Sequence, residues 1–219
     1  MKTTTILARC LTPDGFPMLL QEHDGQYFLK VDGVTLMSTA ATASEVALAE
    51  KGCERGAGRV LIGGLGFGFT LRRVLELVPP NAEVVVAELM PEVIQWNREF
   101  LGGVNGSCLD DKRVTVHLGD VNECIDKGSG GGFDAILLDV DNGVDALVSG
   151  GNNRLYGRSG LRRIKSALSP RGRVVFWSAH RDRQFAILLE KDFRSVESVG
   201  AKAYPQAKRF SHTLFIADR

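Results

Sequence analysis

Cysteine is sparse in this chain. Cys10, Cys53, Cys108 and Cys124 are scattered, with no C-x-x-C pair among them. That pattern excludes a disulfide framework and a zinc site, and it fits reduced cytosolic thiols and no bound metal. Long apolar runs are absent too: nothing approaches the roughly 18 residues of a membrane span. The opening MKTTTILARCLTPDG lacks the apolar stretch of a secretory signal. There is almost no net charge, with 27 Lys and Arg against 26 Asp and Glu. No internal repeat or low-complexity segment is evident. What remains is an ordinary composition and 219 residues, enough for one sizeable α/β domain with a small appendage.

The charge is unevenly placed. From Arg154 onward there are fifteen basic residues against five acidic ones. A basic C-terminal third can serve an anionic partner, nucleic acid included. The basic residues lack the interleaved aromatics of a single-strand binding groove, so a solvated helix face around Arg158, Arg162, Arg163 and Lys165 is the better reading, with nucleic acid disfavoured as a partner.

The centre of the chain is RVLIGGLGFGFTLRRVLELVPPNAEVVVAE, residues 59–88. Val60 to Ile62 form an apolar run suited to a strand buried on both faces. It breaks into Gly63-Gly64-Leu65-Gly66-Phe67-Gly68. Leu71, Val74, Leu75 and Val78 then mark one helix face, stopped by Pro79-Pro80. Glycines at 64, 66 and 68 let a ligand lie against the backbone, with a helix N-terminus pointing into the same space. Glu88 closes the next strand, about 20 residues on, where an acid accepts from ribose hydroxyls. The nicotinamide and flavin fingerprint G-x-G-x-x-G would need a glycine at Phe69. The G-x-G-x-G found here resembles motif I of S-adenosylmethionine (AdoMet)-dependent transferases. A purely structural turn with spare glycines is the alternative.

The rest of the chain alternates in the same way. Residues 1–37 read as a small β segment, with tight hairpins at Asp24-Gly25 and Asp32-Gly33. It has little core of its own and must pack on the main domain or on a second subunit. Ser38 to Gly52 reads as a helix, opened by a Thr42/Glu45 capping box. Strands are expected at 59–62, 83–87, 114–118, 133–138, 174–178, 195–204 and 212–217, with helices between the first six. The last two strands have none between them, so one must run antiparallel. The fold class is α/β: a Rossmann-like, mostly parallel seven-stranded sheet with an antiparallel C-terminal strand, over residues 38–219, plus the N-terminal β appendage.

In such a sheet ligands bind beyond the carboxyl ends of the strands. The first four core strands end at Gly64-Leu65-Gly66, Glu88, Asp120 and Asp139. One Asp after a strand is commonly a helix cap; three acids and a glycine loop on one edge are more than caps. Glu88 is suited to the ribose hydroxyls, and Asp120 with the amide of Val121 to the adenine edge, between Leu89 and Leu118. Asp139 lies toward the sulfonium end as an amino-group ligand or base. Asp141 and Asn142 follow on the same loop, facing the acceptor. Tyr156 and His180 are further candidates for the acceptor pocket, and the loop 142–155 is long enough for a lid. Trp177 reads as core and His212 as structural.

The stretches VLIGGLGFGFTLRRVLEL, VVVAELMPEVI, DKRVTVHLGD, FDAILLDVDNG and LYGRSGLRRIKSALSPRGRVVFWSA resemble, in order, the catalytic core of spermidine synthases and related aminopropyltransferases. The resemblance implies an adenosyl sulfonium cofactor, a small-molecule acceptor, a cytoplasmic enzyme and a homodimer. It also exposes three departures. Where the family's glycine loop carries an Asp that holds the aminopropyl ammonium, this chain has Phe67, an apolar side chain at the substrate site. The family's D-S-[ST]-D-P loop is here Asp139-Val140-Asp141-Asn142-Gly143; the first Asp is kept, and the second, the expected base, falls on Asn142, with Asp141 one place early. The Tyr-His-Glu-like segment matches Ala41 to Glu45, without aromatic or His. All three touch the aminopropyl and polyamine ends and none touches adenosine. The expectation is therefore an AdoMet-dependent transferase moving a methyl group to a small molecule. An aminopropyltransferase using decarboxylated AdoMet is the alternative, followed by an RNA methyltransferase and a non-catalytic nucleotide-binding dimer.

Overall fold

In the computed structural model of the chain, residues 3–130, 132–140 and 153–219 are described. Four strands come first: β1 (Thr5–Leu11), β2 (Pro17–His23), β3 (Gln26–Val31) and β4 (Val34–Ser38). They form an antiparallel meander in sequential order. Its turns use left-handed backbone at Asp24-Gly25 and Asp32-Gly33, which the short polar Asp tolerates and Gly adopts at no steric cost.

The main layer follows: α1 (Ala43–Cys53), β5 (Arg59–Gly63), α2 (Phe69–Leu77), β6 (Glu83–Glu88), α3 (Pro91–Glu99), α4 (Gly102–Asn105), β7 (Val114–Leu118), α5 (Val121–Lys127), β8 (Phe133–Leu138), α6 (Asn153–Tyr156), α7 (Arg158–Ala167), β9 (Leu168–Ser178), α8 (Arg183–Glu190), β10 (Ser195–Ala201) and β11 (His212–Asp218). The seven strands of this sheet lie in the order β10-β11-β9-β8-β5-β6-β7. Strands β5 to β9 are parallel neighbours, and β11 runs antiparallel to both β9 and β10. The expected architecture is the one observed.

Alternation along β5 shows how the layers are glued. Val60 and Ile62 face one apolar cluster, shared with the N-terminal sheet, α1, α2 and α3. Leu61 faces the other, shared with α5, α7 and α8. The second cluster is knit by edge-on aromatic contacts of Phe185 with Phe176 (5.1 Å between ring centres) and Phe215 (5.2 Å).

Local expectations failed in instructive places. The helix does not begin at Ser38, because that residue still pairs with Phe28 in the meander. The Thr42 side chain makes no capping bond, so the capping box does not form. The glycine-rich stretch after α3 is not a plain loop: α4 is followed by a single 3-10 turn, Cys108–Asp110. Strand β9 starts six residues before Val174, carrying Pro170 and Gly172 through an irregularity in its pairing with β8. The basic helix α7 is compensated by acids. Arg163 pairs with Asp126 at 3.0 Å and Arg162 with Asp192 at 3.6 Å.

At the sheet edge away from the glycine loop, buried Arg173 meets Asp218 at 2.8 Å and Glu54 at 3.0 Å, while Arg55 reaches Asp218 at 2.9 Å. This network ties α1 to β9 and β11. No described helix is long and apolar enough to cross a membrane.

Candidate active site

The glycine loop leaves β5 through three residues with positive φ: Gly64 at 88°, Gly66 at 51° and Gly68 at 83°. Space is tight at all three, most severely at Gly64. A Cβ on Gly64 would sit 2.3 Å from the carbonyl oxygen of Asp139, and one on Gly68 within 3.2 Å of Cys108, Asn105 and Asn97. The loop is braced from behind. Asn97 donates to the Gly66 carbonyl at 2.8 Å, and Asn105 donates to the Phe67 carbonyl at 3.1 Å and to Asn97 Oδ1 at 2.8 Å. It is braced from the side by Glu88, whose two oxygens accept the amides of Leu65 and Met90, each at 2.9 Å.

In front of the loop lies a cavity of about 410 Å³ at the carboxyl ends of β5, β6, β7 and β8. Of the residues singled out in the sequence for the cofactor, Gly64, Gly66, Glu88, Leu89, Asp120, Val121 and Asp139 line it. Asp120 caps α5, accepting the amide of Asn122 at 2.8 Å, and also borders the cavity. The structure shows the cap and places the residue on the cavity wall. Val121 opens that helix, where an amide has no carbonyl partner within the helix.

Other candidates fall elsewhere. Leu65 and Phe67 point away into the first apolar cluster, Phe67 only 2% exposed, and Gly68 faces the asparagines. Phe67 therefore does not line the pocket or make it apolar. The alternating glycines re-aim that side chain into the core. Leu118 is exposed and does not border the cavity. Tyr156 is buried in the second cluster beside Phe176 and Phe185. His180 is exposed outside the cavity, with its amide on Ser178 Oγ at 3.3 Å. Asp141, Asn142 and all but the last three residues of the expected lid lie outside the described residues.

Several lining residues were not anticipated. The N-terminal sheet supplies a wall of Met18, Leu29, Val31, Leu36 and Met37, with the Met37 methyl 2.7 Å from where a Gly66 Cβ would be. Trp177 and His212 form another wall, their rings 4.8 Å apart and tilted by 35°. His212 takes the place expected for His180. Burial, then the neighbouring His180, pushes its imidazole below the ordinary 6.5. Glu45, expected as a helix cap, turns into the cavity instead. Burial pushes its carboxyl well above the ordinary 4.5, and the nearby Asp139 adds to the effect. The sole signal for Glu45 was its place in the segment matching Tyr-His-Glu.

The donor set suits an adenosyl group. A backbone cradle with no room for side chains, acids at the ends of β6 and β7, and a helix-opening amide converge on one cavity. The family model described as "Spermine/spermidine synthase domain" matches residues 43–212. The chain belongs to that family. Among curated relatives, the polyamine aminopropyltransferase of Mycobacterium tuberculosis is 35% identical over 123 residues, 55% of this chain and 22% of its own length. That of Nitrosomonas europaea is 34% identical, over 52% of this chain and 33% of its own. That of Prochlorococcus marinus (strain MIT 9312) is 28% identical, over 64% and 50%. The matches thus span half or less of these relatives. The spermidine synthase of Thermotoga maritima superposes with a TM-score of 0.75 at 18% identity, over 97% of this chain and 72% of that one. A spermidine synthase crystallised with the transition-state analogue AdoDATO gives 0.74 at the same identity and coverage.

These matches overturn the expectation of methyl transfer. The family and its curated relatives are aminopropyltransferases, the reading ranked second on sequence. The physical reason for the error is visible in the site. Of the three departures behind it, Phe67 is core and outside the cavity, the Ala41–Glu45 segment still brings Glu45 into it, and Asn142 lies outside the described residues.

Proposed function

We propose that the chain transfers the aminopropyl group of decarboxylated AdoMet to a small-molecule amine of the polyamine class. The observation that carries the reading is the family match over a cavity walled by Gly64, Gly66, Glu88, Asp120 and Asp139. The donor supplies a sulfonium carbon open to displacement. A neutral amine nitrogen forms the new C–N bond as the C–S bond breaks, the electron pair stays on sulfur in the departing methylthioadenosine, and the amine's extra proton is lost.

The residues divide along the cavity. Glu88 holds the ribose through lone pairs beyond those its backbone bonds use, and Asp120 with the Val121 amide holds the adenine edge beside Leu89. Asp139, against the glycine loop, faces the reacting end and receives the amine proton. Met37 and its apolar neighbours keep bulk water from the sulfonium carbon. Asp141 and Asn142 belong to the segment proposed to border the acceptor. The exposed apolar residues Ile6, Leu11, Phe16 and Val34 of the N-terminal sheet support a homodimer built on that sheet. Four unpaired cysteines support a cytoplasmic setting.

The test is direct. The purified chain, given decarboxylated AdoMet with putrescine, cadaverine or spermidine, is expected to release methylthioadenosine, read by mass spectrometry. Absence of that product with every amine, in protein that still binds methylthioadenosine, would overturn the proposal.

A further inference from the structure

Among the described residues, Glu45 is the one buried acid of the cavity whose position no local role explains. It stands in the first turn of α1, is 8% exposed, and borders the cavity together with Ser44, Ala41 and Asp139. The capping bond that would occupy it is not made, and among the described residues none hydrogen-bonds its carboxyl. Its strongest charged neighbour is another acid, Asp139. Two carboxyls beside each other in a part-apolar cavity, one of them without a hydrogen bond, are a costly arrangement unless a cation joins them.

Position says which cation. Asp139 lies against Gly64, and in the proposed arrangement it is at the opposite end of the donor from Asp120 at the adenine, with Glu88 at the ribose between them. Glu45, beside Asp139, is therefore at the sulfonium and aminopropyl end. The glycine loop offers no acid there, because Phe67 is turned into the core. We propose that Glu45, reaching in from α1, is the carboxylate that holds the terminal ammonium of the donor's aminopropyl arm, in place of an acid on the glycine loop. This rests on the aminopropyl-transfer reading and adds a source of selectivity to it. Ordinary AdoMet carries a carboxylate on the same arm, which Glu45 and Asp139 repel, so the pair favours the decarboxylated donor by rejecting the other. The Met37, Leu36 and Leu29 wall lowers the local dielectric and strengthens both the attraction and the repulsion.

The experiment compares Glu45→Gln with the unaltered chain by calorimetry, using three ligands: decarboxylated AdoMet, AdoMet and methylthioadenosine, which has no aminopropyl arm. Expected are a loss of about tenfold to a hundredfold in affinity for decarboxylated AdoMet, a gain for AdoMet, and methylthioadenosine binding within about twofold of the unaltered chain. Where turnover is measured, the loss falls on the donor KM more than on kcat, and Glu45→Asp recovers part of it. Unchanged affinity for the decarboxylated donor, or an equal loss for all three ligands, overturns the assignment. Glu45→Leu, read with the same three ligands, covers the case in which the amide variant does not fold. Failure of the transfer reaction itself would show as absent methylthioadenosine from the unaltered chain, which is a separate observation from these affinities.

Discussion

Glu88 Oε2 accepts the amide hydrogen of Leu65 at 2.9 Å, which binds the end of β6 to the middle of the glycine loop. The other oxygen holds Met90. An acid expected to touch only ligand is thus also a strut of its own site. Glu88→Ala should lower the affinity for methylthioadenosine by a hundredfold or so and also cost about 1–3 kcal/mol of stability, because two buried amides lose their acceptor. Calorimetry and thermal melting measure the two effects. A variant that loses ligand with an unchanged melting temperature would contradict the strut.

The asparagine brace makes a separate prediction. Asn105→Leu removes the donor to Phe67 and Asn97 and the acceptor of the Ser107 amide at 3.0 Å. The loop should lose its fixed shape while the sheet stands. Methylthioadenosine affinity is expected to fall about tenfold, with the far-ultraviolet circular dichroism unchanged.

Putting the family's acid back on the loop should fail. Phe67→Asp inserts a charge into a core position 2% exposed, which costs about 3 kcal/mol or more. For a chain of this length that lowers the melting temperature by roughly 10 °C. No gain in aminopropyl transfer is expected. A stable, more active variant would show that the side chain reaches the cavity after all.

Glu45 makes a pH prediction. A carboxyl whose folded value is raised stabilises the fold in full below its ordinary value, here 4.5, and that contribution is lost as pH rises through the raised value. Without ligand, Glu45→Gln should therefore melt higher than the unaltered chain at pH 7 to 8, by a few degrees, with the difference shrinking toward pH 4. Melting curves across that range check the sign.

Asp218 makes the opposite one. Burial would raise its carboxyl, but hydrogen bonds from Arg173 and Ser195 hold it below the ordinary 3.8. Its stabilisation is present above that value and lost as pH falls through the depressed one. Asp218→Ala should cost about 3–5 kcal/mol near neutrality, since it leaves Arg173 buried without its main partner. The gap should narrow below pH 4.

The strand-end residues that border the cavity were legible because each of them is local. Gly64, Glu88, Asp120 and Asp139 lie at or just after the ends of β5, β6, β7 and β8, and parallel strands deliver their ends to one edge. Other lining residues were not. Glu45, Met37, Trp177 and His212 reach the cavity from elements far apart in sequence, and no spacing rule links them. Glu45 also fits a capping pattern equally well, and only packing decides which way it turns. Phe67 was misread for a different reason. Between two left-handed glycines a side chain no longer alternates as in a strand, so a match in the motif did not carry its direction.

The wall that the N-terminal sheet lends to the cavity ties assembly to occupancy. Met18, Leu29, Val31, Leu36 and Met37 sit on hairpins that fold locally, while Gly66 and Glu88 belong to a parallel sheet that must close long loops. A complete pocket therefore exists only after two units that mature at different speeds have docked. A ligand bound between them spends part of its binding energy clasping one sheet onto the other, and amide exchange in β2 to β4 is where that clasp would register.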